Sequence, residues 1–187
     1  FDRERVDFLS NLGIEDIKVA SCDSTSHTMI KELGAKFDRL ICSTGMTTIQ
    51  EIWNLRENLV KSASKGVILH CISMYPTPLE KINLDRVRDI KKITDTQLEF
   101  GISDHSLGTT FPKVAVTLGA TWIEKHFTTD TKIPGPDNYM SITPNQLAEI
   151  RKFSDEYINI GSDSSVEAYE QELELRKIIQ NRFGDNA

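Results

Sequence analysis

Apolar positions in this chain follow two alternating patterns: short clustered runs and longer stretches where they recur every three to four residues. Five β-rich runs, at 17–20, 39–42, 66–71, 97–102 and 121–127, each lead into small or polar residues and predict strands. The longer stretches predict helices near 24–35, 48–64, 84–94, 109–119, 144–158 and 164–182, after a short amphipathic helix at 4–12. Thr143-Pro144 is a start signal, because threonine caps a helix and proline fits its first turn without losing a needed hydrogen bond. Successive strands lie about 21 to 31 residues apart, room for one crossover helix and two short loops, so a parallel sheet of βα units is expected.

Periodicity does not separate an open sheet from a closed barrel, since both use this unit. No GxGxxG or Walker-type loop follows any predicted strand, which disfavours the dinucleotide-binding and P-loop forms of the open sheet. A barrel is therefore expected, with a site at the C-terminal strand ends, where Ser21, Asp23, Ser43, Ser73, Ser103, His105 and His126 fall. Five strands do not close an eight-stranded barrel. With Phe1-Asp2-Arg3 opening the chain in place of a methionine, a preceding segment or an assembled partner is expected to cover the edge at 17–20.

A length of 187 residues with 39% hydrophobic content suits one ordinary core. No apolar run reaches the roughly 18 residues of a membrane span and no secretory leader stands at the start, so a cytoplasmic protein is expected. The net charge of −6, without a long basic block, argues against a nucleic-acid partner. Cys22, Cys42 and Cys71 show no metal-ligand spacing and read as small core residues of a reducing compartment.

The strongest chemical constellation is Ser103-Asp104-His105 at one strand end with Glu124-Lys125-His126 at the next. Alternation puts Ser103 and His105 on one face, and Glu124 and His126 on one face of the neighbouring strand. Strands about 4.8 Å apart bring two such imidazoles close enough to share a metal ion, leaving other coordination positions to water or substrate. Nitrogen with oxygen ligands suits manganese or a similar octahedral ion, and softness alone does not exclude zinc. A structural, hydrogen-bonded histidine is the competing reading for each. His70 is out of phase with Leu69, Cys71 and Ser73 and is read as structural, between sheet and helix; His27 is read as a surface residue at a helix start.

Ser43-Thr44-Gly45-Met46, with Thr47 or Thr48 capping the next helix, reads either as an anion subsite or as a plain strand-to-helix turn. Lys18 and Ser21 fall on opposite faces under strict alternation, so one of them must leave the pleat if both meet a ligand. Pro134-Gly135-Pro136-Asp137-Asn138 is a rigid turn that either aims Asp137 at a sugar or simply faces solvent. The prolines of Tyr75-Pro76-Thr77-Pro78 shape a loop without naming a ligand.

Lys18-Val19-Ala20-Ser21, Ser43-Thr44-Gly45-Met46, Leu69-His70-Cys71-Ile72-Ser73-Met74-Tyr75-Pro76, Ser103-Asp104-His105, Glu124-Lys125-His126-Phe127 and Pro134-Gly135-Pro136-Asp137 occur in this order. The series closely resembles the N-acetylneuraminate synthase family, including legionaminic and pseudaminic acid synthases, from Phe1 to about Arg151. The resemblance implies an α/β fold, a (β/α)8 TIM-type barrel of which this chain supplies about the last five units. It implies condensation of phosphoenolpyruvate with an N-acetylmannosamine-type sugar, giving a nine-carbon α-keto acid and phosphate. By matching positions, His105 and His126 look like ligands of a divalent metal, Mn2+ foremost, with Mg2+ or Co2+ as alternatives. Lys18, Ser21, Ser43, Ser73 and Ser103 correspond to phosphoenolpyruvate contacts, Asp23 and Asp137 to sugar contacts, and Glu124 to an acid-base group near the metal-bound water. Ser73 stands where some relatives have asparagine.

The resemblance further implies a homodimer and divides the chain into a partial barrel at 1–160 and a helix and linker at 161–187 leading toward an antifreeze-like domain. The family's first three strands, and that domain with its arginine reaching into the partner's site, have no counterpart here. Two alternatives stay open from the residues alone: a catalytically incomplete half-barrel acting as a binding or scaffold module, and a different metal-dependent barrel aldolase.

Overall fold

In the computed structural model, which describes residues 3–161 and 166–180, five parallel strands follow one another in space as they do in sequence. They are β1 (Asp16–Val19), β2 (Arg39–Ser43), β3 (Lys65–Cys71), β4 (Glu99–Asp104) and β5 (Trp122–Lys125). A doubly wound sheet reverses its strand order at a switch point; this one never does, and that decides for the barrel-type winding. The sheet also curls. Four strand spacings would part β1 and β5 by about 19 Å if the sheet were flat, yet Lys18 of β1 and Glu124 of β5 touch at 3.1 Å. Five strands thus form a half-barrel with β1 and β5 as its edges.

The convex face is the core. Leu40, Cys42, Ile68, Phe100 and Ile102 point outward and pack with Ile30, Leu33, Ile52, Leu55, Leu59, Val87 and Ile90 from the covering helices. Those helices are α2 (His27–Gly34), α3 (Ile49–Ser62), α4 (Leu84–Thr94) and α5 (Thr110–Thr117), after α1 (Val6–Asn11). Full burial stabilises each large aliphatic side chain by roughly 1.5–3 kcal/mol, which fixes the strand register and so the height of every residue at the strand ends.

Local chemistry sets the boundaries. Thr48 caps α3 in a capping box: its hydroxyl accepts the Glu51 N–H, and the Glu51 carboxylate accepts the Thr48 N–H at 2.7 Å. β4 starts at Glu99, two residues later than its pattern suggests, because Asp95 accepts the Gln97 N–H in a side-chain turn. β5 is shorter than the expected 121–127: Phe127 keeps only an isolated bridge to Ile142. The expected 24–35 helix begins at His27, after a single 3-10 turn at Ser21–Asp23.

The chain forms two compact units, Phe1–Tyr157 and Ile158–Ala187, and the half-barrel lies in the first. α6 (Pro144–Ile160) begins at the expected Thr143-Pro144 signal, where Gln146 accepts the Thr143 N–H at 3.0 Å. In the second unit α7 (Glu170–Gln180) is opened by Glu172, which accepts the Tyr169 N–H. Positions 164, 165, 181 and 182 of the helix expected at 164–182 lie outside the described residues. Among the described residues no helix is long and apolar enough to cross a membrane.

Candidate active site

The concave face of the half-barrel holds a cavity of about 590 Å³ at the C-terminal strand ends. Lys18, Ser21, Ser43, Ser73, Ser103, His105, Glu124 and His126 all line it, so one opening gathers eight of the ten residues singled out from sequence. The strand end resolves the conflict between Lys18 and Ser21: β1 stops at Val19, and Ser21 starts a 3-10 turn that leaves the pleat. The remaining two do not line the cavity. Asp137 stands behind one of the histidines, and Asp23 closes the turn whose Cys22 does reach the cavity.

His105 and His126 lie one residue beyond the last ladder pair of β4 and β5, Asp104 with Lys125. Their ring centroids are 5.4 Å apart and the rings are inclined by 53°. His105 Nδ1 donates to the Ile72 carbonyl at 2.8 Å, which puts the ring's lone pair on Nε2. His126 Nδ1 stands 3.7 Å from Asp137 Oδ2. One ring nitrogen held by an oxygen is the arrangement found in metal-binding imidazoles. Among the described residues, no group of three or more His, Cys, Asp or Glu side chains is arranged to hold a metal ion. The pair therefore fits a cation whose other positions are filled by water or substrate, not a closed structural site.

The opposite wall carries hydroxyls and a closely approaching backbone, donors that could meet an anion. The Ser43 hydroxyl is buried without a partner among the described residues. The Gly45 N–H donates to Ser21 Oγ at 2.9 Å, and a Cβ on Gly45 would lie 2.2 Å from Ser73 Oγ, so only glycine lets the backbone approach this closely. Two buried cysteines report the local field. Burial pushes the outward Cys42 thiol up to about 12. Burial also works against ionisation of Cys71, but hydrogen bonds with His105, Ser21 and Ser103 hold that thiol below its usual range. The two shifts differ because Cys71 has hydrogen-bond partners at the cavity, whereas burial dominates at Cys42. In turn, although burial pulls His105 down, the Cys71 thiol and the Ile72 carbonyl leave its pKa raised.

Four features escape the sequence reading. Tyr75 stacks on His105 with centroids 4.0 Å apart and meets His126 edge-on, while the Thr77 N–H donates to the His105 carbonyl at 3.0 Å. The loop with the cis Tyr75–Pro76 bond therefore roofs both imidazoles. Arg86, from α4, donates to the carbonyls of Thr47 at 2.6 Å and Thr44 at 3.2 Å, bracing the Gly45 loop from behind. Asp104 and Lys125 form a buried ion pair at 2.6 Å. Finally, Cys22 is exposed at the cavity and Cys71 lines it, so only Cys42 is the plain core residue expected of all three; all are free thiols. The two histidines expected to be non-catalytic lie outside the cavity: His70 is buried and donates to the Ile82 carbonyl at 2.9 Å, and His27 Nδ1 stands 2.6 Å from Asn58 Nδ2.

A profile described as the NeuB family matches residues 1–163. An uncharacterized protein of Methanocaldococcus jannaschii is 39% identical, over 80% of this chain and 44% of its own length. The N,N'-diacetyllegionaminic acid synthase of Legionella pneumophila is 33% identical, over 96% of this chain and 51% of its own length. The chain thus spans about half the length of the curated relatives it matches. Among solved structures, the N-acetylneuraminic acid synthetase of Leptospira borgpetersenii superposes with a TM-score of 0.83 at 29% identity, covering 95% of this chain and 62% of that one. Phospho-2-dehydro-3-deoxyheptonate aldolase of Thermotoga maritima, at 15% identity and a TM-score of 0.70, covers 86% of this chain and 49% of its own, and shares the fold alone. With the ordered strand-end motifs and the half-barrel that carries them, these matches establish that the chain belongs to the NeuB family.

Proposed function

We propose that this chain carries the metal-and-anion half of the active site of a nonulosonic acid synthase. Such an enzyme condenses phosphoenolpyruvate with an N-acetylmannosamine-type sugar to give a nine-carbon α-keto acid and phosphate. The observation that carries the reading is the placement of two converging imidazoles and a buried Ser43 hydroxyl without a partner among the described residues in one cavity.

His105 and His126 would hold a divalent cation, Mn2+ foremost and Mg2+ or Co2+ as alternatives. When bound, it supplies Lewis acidity toward the open-chain sugar aldehyde. Lys18 and the hydroxyls of Ser21, Ser43, Ser73 and Ser103 hold the phosphate and carboxylate oxygens of phosphoenolpyruvate, fixing its enol carbon toward the aldehyde carbon. Carbon–carbon bond formation leaves an oxocarbenium-like centre, which water attacks. Glu124, facing the same cavity, takes the proton of that water, and a proton reaches the former aldehyde oxygen. The resulting tetrahedral centre expels phosphate, whose charge Lys18 and the hydroxyls stabilise without reorganising. Asp137, behind His126, faces that imidazole and can accept a hydrogen bond from a sugar hydroxyl, and Asp23, in the turn beside the cavity, is proposed as a second sugar contact. A homodimer, with the segment after α6 as a linker toward a further domain, completes the reading.

Calorimetric titration with phosphoenolpyruvate in the presence of Mn2+ tests it. Binding that weakens in the Ser43→Ala variant supports the anion wall. Binding unaffected by Ser43→Ala and by Mn2+ removal would favour a scaffold half-barrel.

A further inference from the structure

Asp104 and Lys125 alternate with the residues that face the large cavity and are absent from its lining, while a smaller pocket of about 120 Å³ brings them beside Ser103, His105, Glu124 and His126. There, Lys125 Nζ donates to Asp104 Oδ2 at 2.6 Å and to the Ser106 carbonyl at 2.5 Å, and Asp104 Oδ1 accepts the Ser106 N–H at 2.7 Å. The two side chains are 3% and 2% exposed, which makes this a fully desolvated pair. Such a pair is weak evidence for stability, because a well-packed neutral replacement is often tolerated; its better-attested use is to fix a register.

The register fixed here is specific. Asp104 and Lys125 are the last partners in the β4–β5 ladder, and each is followed directly by a cavity histidine. Beyond that pair the two strand ends go separate ways: the His105 carbonyl accepts from Thr77, and the His126 carbonyl from Ile142. The ion pair and its Ser106 bonds thus form the last direct link between the two segments before the imidazoles. We infer that Asp104 and Lys125 are positioning residues, whose buried pair holds His105 and His126 at the spacing needed to share one divalent cation. The inference rests on the metal reading above.

The test uses the full chain and its Asp104→Asn/Lys125→Met double variant, which leaves no lone buried charge. Free Mn2+ is counted by electron paramagnetic resonance during titration, and urea midpoints are taken on the same samples. The variant is expected to bind Mn2+ about 10- to 100-fold more weakly, the usual effect of losing an outer-shell partner, with a much smaller change in midpoint. A folded variant whose affinity stays within about twofold of the parent overturns the inference. If the neutral pair does not fold, Asp104→Glu takes its place. It keeps both charges but lengthens the link by one methylene, and the same twofold limit on its affinity decides. Failure of the parent itself to bind Mn2+ overturns the metal reading and this inference together, whereas equal binding by parent and variant overturns this inference alone.

Discussion

Lys18 of the first strand and Glu124 of the last meet at 3.1 Å across the mouth of the half-barrel, both still partly exposed. Each is thereby held over the cavity by the other, which under the proposed function puts a cation where the anionic substrate would bind and a carboxylate where a proton would be taken. In the proposed reaction an incoming phosphate would compete with Glu124 for the Lys18 ammonium and so free the carboxylate. Hydrogen bonds to charged groups contribute about 1.5–3 kcal/mol. The Lys18→Met variant is therefore expected to bind phosphoenolpyruvate about 10- to 100-fold more weakly by calorimetry, with its Mn2+ affinity nearly unchanged. Undiminished phosphoenolpyruvate binding would remove Lys18 from the anion site.

Gly45→Ala should separate binding from folding. The added methyl would sit 2.2 Å from Ser73 Oγ and 2.9 Å from Ser21 Oγ, so at least one hydroxyl must turn out of the anion wall. The obstruction lies at the open cavity, not in the packed core. Thermal stability is expected to change little while phosphoenolpyruvate binding falls at least about tenfold, a loss of one hydrogen bond to a charged group. Unchanged affinity in calorimetry would show that the substrate anion does not use this wall.

Acid should weaken the fold through His70, away from the cavity. Burial, with help from Arg86, pushes its imidazole down to about 4, against the opposing Ile82 carbonyl and Asp104. An unfolded histidine titrates near 6.5, so between these values the unfolded chain binds the proton more readily. The stability contribution is complete above about pH 6.5 and is lost as pH falls toward 4, with a total of about 3 kcal/mol. Urea midpoints measured at neutral pH and near pH 4 check it. The His70→Gln variant, whose amide can still reach Ile82, is expected to lose less stability over the same interval, because the buried imidazole that resists protonation is gone.

The elements and the inward residues were legible because they follow periodic rules. The outward phase of His70, the convergence of His105 with His126 and the Thr143-Pro144 helix start all come from alternation or local capping, which depend on neighbours in sequence. What escaped depends on contacts between distant segments. Tyr75 reaches His105 across 30 positions, and Arg86 reaches Thr47 across 39. Alternation turned Asp104 and Lys125 away from the large cavity but gave no sign that they would be buried together. Cys22 shows the same limit from the other side: a small apolar residue suggests a core, and only the turn at Ser21–Asp23 brings it to the cavity.

The most direct measurement is inorganic phosphate release by the 187-residue chain given Mn2+, phosphoenolpyruvate and N-acetylmannosamine, with related N-acylated hexoses in parallel. Release that requires both the sugar and the cation, and that disappears in the His105→Ala and His126→Ala variants, is the predicted result. Release that persists without the histidines, or that needs no sugar, would contradict a condensing site built on this pair.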